Sequence, residues 1–158
     1  MIQAFNPTTD LMIERTLPLP PAAVWAAWTQ PELLMRFFTP HPWTTTDCTI
    51  DLRPGGSFKA TMRSPDGEVI PNEFCYLEVI PNQKLVWTNT MAAGFRPVPD
   101  PTFVITSVLE LSGEFETHYR TLALHRDAAG REHHEKMGFY DGWNAVIDQL
   151  VAAMLETR

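Results

Sequence analysis

The residues best equipped for chemistry lie near the C-terminal end, in the stretch Arg131 to Leu155, REHHEKMGFYDGWNAVIDQLVAAML. His133, His134 and Glu135 are consecutive there, which invites a metal reading. Adjacent residues of a helix point about 100° apart, so neighbouring imidazoles do not converge on one ion. A zincin-like pair needs histidines four apart on one face with a glutamate between them, and that spacing is absent. The expectation is a solvated helix start, with no metal and no cofactor. His118, Arg120 and His125 share one strand-like segment upstream. A histidine meeting a tyrosine in an apolar pocket can move protons, and His133 or His125 with Tyr140 would be such a pair. The ordinary state of an isolated histidine is a surface or hydrogen-bonded one, so no catalytic residue is assigned. Cys48 and Cys75 sit singly in strand-like patterns, which favours buried, inert thiols over a disulfide or a nucleophile. Ser57 and Ser107 lack the strand–turn–helix context of a nucleophile elbow. Gly55-Gly56 lacks the lysine and helix of a phosphate loop and reads as a hairpin turn.

These groups need elements to position them. From Phe139 the apolar residues run Phe139, Tyr140, Trp143, Val146, Ile147, Leu150, Val151, Met154 and Leu155, spaced by threes and fours. One face of a long α-helix must therefore be covered. Asp10 to Leu17 predicts a first strand, with Arg15 interrupting the face of Leu11, Ile13 and Leu17. Pro18, Pro20 and Pro21 stop it, and proline is at home in the first turn of a helix. Two short helices follow, Pro21 to Thr29 and PELLMRFF from Pro31. Cys48, Ile50 and Leu52 then alternate with polar residues, and Phe58, Ala60 and Met62 continue the period of two on a returning strand. Further strands are expected at Val69 to Ile80, Lys84 to Thr88, Thr102 to Leu111 and Thr117 to His125. In the first of these, the charge-free set Cys75, Leu77 and Val79 is placed inward, and Phe74 and Tyr76 outward. The faces of the last strand stay unassigned. Asn89 to Pro101 contains GFRPVPDP and is expected to be an irregular loop; Asp127 to Gly130 is expected to be a tight turn. Consecutive strands joined by short turns make an antiparallel meander, and a sheet of this size curls. The order describes an α+β domain, a curved sheet closing around the terminal helix.

Bulk properties narrow the partners. The chain has 158 residues, enough for a single domain with a core from about residue 10 to residue 156. Its formal net charge of −7 argues against nucleic acid, which needs a basic face, and against an anionic membrane surface. No apolar run approaches the roughly 20 residues of a membrane span. The N-terminus lacks the basic start and apolar core of a signal peptide, so a cytoplasmic location is expected.

The same order of elements, with ERTLPLPPAAVWAAWTQPELLMRFF near the start, LRPGGSF in the hairpin, LEVIPNQKLVWT in the middle and MGFYDGWNAVIDQL at the end, resembles the START-like (SRPBCC) superfamily. Within it the chain is similar to the branch named after the activator of Hsp90 ATPase (AHSA1-like), from about Leu11 to Leu155. The shared residues are packing motifs and carry no catalytic group. The resemblance implies a helix-grip (Bet v 1/START-like) fold with an apolar cavity that often holds a small hydrophobic molecule. It also implies a range of roles: some relatives are cyclases or hydrolases of polyketide-like compounds, others sequester a ligand, and the namesake binds a chaperone. On this basis the cavity is expected between the first half of the long helix, the loop at Gly94 to Pro101 and the sheet. Its expected lining is Trp43, Phe58, Met62, Trp87, Phe103, Tyr119, His133, Met137 and Tyr140. The first reading is thus binding of a small hydrophobic or aromatic ligand, with cyclase- or hydrolase-like activity left open. The second is a protein-interaction module, which would show an apolar patch at Phe74 and Tyr76 on the outer sheet face. A homodimer through an edge strand is also left open.

Overall fold

A computed structural model of the chain describes residues 2–99 and 103–156. Its strands are β1 (Asp10–Leu17), β2 (Thr44–Ile50), β3 (Ser57–Arg63), β4 (Val69–Ile80), β5 (Lys84–Thr88), β6 (Met91–Ala92), β7 (Arg96–Pro97), β8 (Thr106–Ser112) and β9 (Thr117–Leu124). Its helices are α1 (Pro21–Thr29), α2 (Pro31–Leu34), α3 (Ala128–Lys136) and α4 (Phe139–Glu156). Seven strands form one antiparallel sheet in the order β1-β9-β8-β5-β4-β3-β2. The meander runs from β2 to β9, and β1 closes on β9 with Leu11 opposite Ala123 and Leu17 opposite Thr117. The hairpin between β2 and β3 depends on Gly56, where a Cβ would lie 2.0 Å from the Asp51 carbonyl oxygen.

The helix-grip architecture follows from the faces. Leu11, Ile13 and Leu17 of β1, Tyr119 and Ala123 of β9, Leu109 of β8, Leu85 and Trp87 of β5, and Phe58 and Ala60 of β3 point to one side and are buried there. Val146, Ile147, Leu150 and Met154 of α4 fill the hollow against them. Each such aliphatic side chain contributes about 1.5–3 kcal/mol when taken from water. Trp28 of α1 is the hub of the aromatic part. Its ring lies 5.4 Å from Phe37, 5.2 Å from Trp87 and 6.1 Å from Trp143, centroid to centroid. A smaller apolar cluster of Val86, Val108 and Leu122, with Met12 and Leu77, covers the convex face.

Two polar side chains lock α4 in place. Arg15, the charge that interrupts the inner face of β1, reaches the helix: Nη2 lies 2.6 Å from Asp148 Oδ1, and Nη1 donates to the Asn144 carbonyl at 3.2 Å. Gln149 donates through Nε2 to the carbonyls of Phe37 (3.0 Å) and Thr39 (2.9 Å), and accepts from the His41 amide at 2.8 Å. That amide fixes the turn after α2 against the helix.

Several expectations are corrected. The terminal helix is two helices, because Gly138 takes the left-handed conformation (φ +93°) that ends α3. Asp127 to Gly130 is not a free turn: Asp127 caps α3, its Oδ1 accepting from the Gly130 amide at 2.8 Å. The helix starting at Pro31 spans one turn only, to Leu34. The proline-rich loop contains a small ribbon in which Met91 faces Pro97 and Ala92 faces Arg96. The strand expected from Thr102 starts at Thr106, and residues 100–102, with the end of that loop, lie outside the described residues. The faces of β4 are reversed over its middle: Phe74 and Tyr76 face the core, beside Phe58, whereas Leu77 joins the convex cluster. A register shift between Tyr76 and Glu78 brings Val79 back inward, opposite Leu85. That irregularity explains the error, since one extra residue flips every side chain beyond it.

Nothing lies within 4 Å of the position a Gly138 Cβ would take. Gly138→Ala should therefore cost only the left-handed backbone, about 1–2 kcal/mol, measured by urea unfolding. A loss much above that would show that the break also holds packing.

Candidate functional site

The break between α3 and α4 leaves a hollow that the helices do not fill. It is a cleft of about 410 Å³, open to solvent on one side. The sheet supplies Met62 of β3, Ile70, Asn72 and Phe74 of β4, Trp87 of β5, and Ser107 of β8, with Asn89, Phe103 and Ile105 from the flanking segments. The helices supply His134, Met137, Gly138, Phe139, Gly142, Trp143 and Val146, and the turn after α2 supplies Phe38 and Pro40. The space exists for a local reason. Gly138 and Gly142 carry no side chains where the straight stripe of α4 would otherwise project them, and a Cβ on Gly142 would stand 3.9 Å from the Pro40 ring.

Few polar groups reach this cleft. Asn89 is spent on the backbone: its Nδ2 donates to the Phe103 carbonyl, and its Oδ1 accepts from the Ile105 amide at 2.9 Å. Asn72 donates through Nδ2 to the carbonyls of Ala60 (3.3 Å) and Ile70 (3.4 Å). Ser107 is buried and also lines the cleft. His134 is the polar group with unusual surroundings. Its Nδ1 lies 2.8 Å from Nε2 of His125, and Nδ1 of His125 lies 2.8 Å from the Thr9 carbonyl oxygen. The His134 ring meets Phe103 (4.7 Å) and Phe139 (5.0 Å) edge to face. Burial, then repulsion from His125 and His133, pushes the His134 pKa down to about 4, so the ring is neutral at pH 7. Arg131 anchors the helix that carries it, Nε donating to the Asp10 carbonyl at 3.2 Å. Among the described residues, no group of three histidine, cysteine, aspartate or glutamate side chains could hold a metal ion.

A family model for the activator of Hsp90 ATPase homolog 1-like protein matches residues 18–155. This chain belongs to that family. A crystal structure of a protein from Nitrosomonas europaea is 40% identical and superposes with a TM-score of 0.92, covering 97% of this chain and 98% of that one. A protein from Mycobacterium smegmatis is 24% identical with a TM-score of 0.76, over 92% of this chain and 90% of its own. An AHSA1-like protein from Aeromonas hydrophila, 18% identical with a TM-score of 0.70 over 94% and 93% of the two chains, shares the fold. No curated protein gives a match. The family match supplies the START-like scaffold.

Of the expected lining, Met62, Trp87, Phe103 and Met137 stand in the cleft wall. The other five positions are corrected. Trp43 lies beyond the Phe38–Pro40 turn, half-buried in a shallow hollow with Met35, Arg36 and Gln149. Phe58 is a layer deeper, enclosed by Phe38, Phe74, Tyr76 and Trp87. Tyr119 faces the concave side but is wholly buried, and burial raises its pKa well above the usual range for a phenol. His133 is exposed, its ring edge-on to Phe103 at 6.0 Å, and the histidine that lines the cleft is His134. Tyr140 packs edge-on against Phe139, ring centroids 5.2 Å apart, and stands exposed. His133 is displaced because the left-handed Gly138 turns α3 off the straight line of α4, whereas Tyr140 lies on α4 itself, beside the Phe139 that takes the cleft-facing position. A glycine after His-His-Glu-Lys is the ending signal of a helix and could have revealed the break. His118 and Arg120 lie on the convex face, His118 Nε2 3.1 Å from Glu14 and Arg120 paired with Glu110. Burial, aided by Asp47 and Glu32, holds the Cys48 thiol up at about 11, far from a nucleophile's range.

The lowered pKa of His134 carries a stability consequence. Between the ordinary value of 6.5 and about 4, the unfolded chain binds a proton at this position that the folded chain does not. The neutral ring's contribution is therefore complete above pH 6.5 and is lost as the pH falls toward 4 and below. Thermal unfolding midpoints should drop over that interval, and His134→Phe should flatten part of the drop. An unchanged slope in the variant would show that carboxylates alone carry it.

Proposed function

We propose that the protein binds a small, mainly apolar or aromatic molecule in the cleft between the α3–α4 break and the concave sheet. The observation that carries this reading is the cleft itself: about 410 Å³ of space walled by Phe38, Phe74, Trp87, Phe103, Phe139 and Trp143, with few polar side chains. Small-molecule sites are concave, mostly apolar and supplied with a few polar anchors, over a range of roughly 300–1,000 Å³. Rings left facing such a hollow gain by meeting a ligand in place of water, about 25 cal/mol for each Å² covered. The composition of the wall selects the ligand's chemistry. Among the described residues, no lysine or arginine lines the cleft, so a carboxylate or phosphate would enter without a counter-charge.

The chaperone-regulator reading comes from the family's namesake, and an outward apolar patch at Phe74 and Tyr76 would favour it. Both rings pack inward against Phe58, so these two residues supply no such patch. Binding, without a stated reaction, is the function that the geometry supports best.

Native mass spectrometry of freshly purified protein should show a retained small molecule, or an uncharged dye such as N-phenyl-1-naphthylamine should brighten on addition. Gly142→Leu is the sharper test. It removes a glycine from a helix interior, worth about 1 kcal/mol in favour of the folded state, and it projects an isobutyl group into the cleft beside Pro40. Thermal stability should hold or rise while binding is lost. Tyr140→Phe, outside the cleft, should leave binding within about twofold. Undiminished binding in Gly142→Leu would move the ligand elsewhere.

A further inference from the structure

The pair His125–His134 is held in a chain of hydrogen bonds whose direction is fixed at one end. The Thr9 carbonyl oxygen can only accept, so Nδ1 of His125 carries a proton and donates to it at 2.8 Å. A neutral imidazole has one N–H, so Nε2 of His125 is then an acceptor. The 2.8 Å contact with His134 therefore requires that Nδ1 of His134 carries the hydrogen and donates. By the same count Nε2 of His134 is bare. That nitrogen takes no hydrogen bond from a described residue and is not among the fully enclosed polar atoms that lack a partner. His134 lines the cleft between Phe103 and Phe139, so its lone pair is offered there. A cationic alternative, with both nitrogens of His125 protonated, would place a charge among those rings with no carboxylate hydrogen-bonded to either imidazole.

Resting on the ligand-binding reading, we infer that the cleft recognises an aromatic or enolic molecule bearing a neutral hydroxyl, which donates its hydrogen to Nε2 of His134. Three features of the site fit this class together. The walls are rings, which suit a flat apolar body. Asn72 donates to the carbonyls of Ala60 and Ile70, and Asn89 places one amide hydrogen on the Phe103 carbonyl, so the backbone holds both side chains in place. Among the described residues the lining holds no lysine or arginine, which disfavours the corresponding acids and phosphate esters. His125 is a positioning residue: it touches no ligand but holds His134 in the tautomer that accepts. A buried acceptor left unmatched is costly, so the site discriminates against a ligand of the same shape without the hydrogen.

The test uses 2-naphthol and 2-methoxynaphthalene, two probes with one ring system, the second with its O–H capped. Titrated into the intact protein at about pH 8, where unperturbed histidines are neutral, 2-naphthol should bind about tenfold tighter or more. His134→Phe should remove that preference while leaving 2-methoxynaphthalene affinity within about twofold. His125→Phe should shrink it, because the His134 proton can then sit on either nitrogen. A purely structural His134 would weaken both probes together. Equal binding of the two probes by the unmodified protein would overturn the inference and leave the ligand-binding reading standing. Binding of neither would overturn both. Long-range ¹H–¹⁵N spectra of the unmodified protein give a check that no folding defect can spoil: they should show His134 protonated at Nδ1 and bare at Nε2. The opposite tautomer would sink the inference whatever the affinities.

Discussion

One constraint organises the molecule: the apolar stripe of α4 has to be covered, and only the concave face of the sheet is broad enough to cover it. Val146, Ile147 and Leu150 reach essentially complete burial there. The sheet must therefore curl, and the curl sets where each strand's inward residues converge. α1 and the turn after α2 close the remaining side, with Trp28 touching Phe37, Trp87 and Trp143. Arg15 is a polar group on this inner surface that serves the clasp, bonding Asn144 and Asp148. That ion pair is partly exposed and worth at most about 1 kcal/mol. Its role is directional, since it fixes the position of α4 along β1.

The cleft is what the clasp leaves over. Close packing holds from Val146 to Met154, where aliphatic side chains recur at helical spacing. It fails on the other side of Gly142, where the helix has no side chain to offer, and at Gly138, where the chain turns aside. The two glycines thus act differently, one by withholding volume and the other by redirecting α3. Redirection brings His134 over the rings of Phe103 and Phe139 and within reach of His125, just past the end of the last strand. A polar pair would be costly in such surroundings without partners. Here each imidazole satisfies the other, and the chain of bonds ends on a backbone oxygen.

Pairing of this kind trades stability for a defined chemical face. Burial holds His134 neutral, and neutrality makes its tautomer a question of hydrogen-bond direction alone. The family resemblance reaches as far as the scaffold. The neighbour from Nitrosomonas europaea shares 40% of its residues and nearly all of the backbone course. Solved structures at 24% identity and below share the fold. A cleft made by what two glycines lack leaves room for different contents on one frame.

By itself, the sequence determined the order of elements, the antiparallel meander and the amphipathic terminal helix. Each rests on short-range signals: prolines at the start of α1 and α2, a period of two in β2 and β3, a period near 3.6 from Phe139 onward. The bounds of β1, α1 and β5 follow directly from such punctuation. Only the tertiary structure decided which face of β4 turns inward, because the irregularity between Tyr76 and Glu78 has no local signature in the residues. It likewise decided that His134 enters the cleft and His133 does not. That choice depends on the angle at which α3 leaves Gly138, and the angle is set by Arg131 holding the Asp10 carbonyl and by His125 holding His134. Those partners are 121 and 9 residues apart in the chain. Periodicity sees neither, since it reads one element at a time and the site is built where several elements meet.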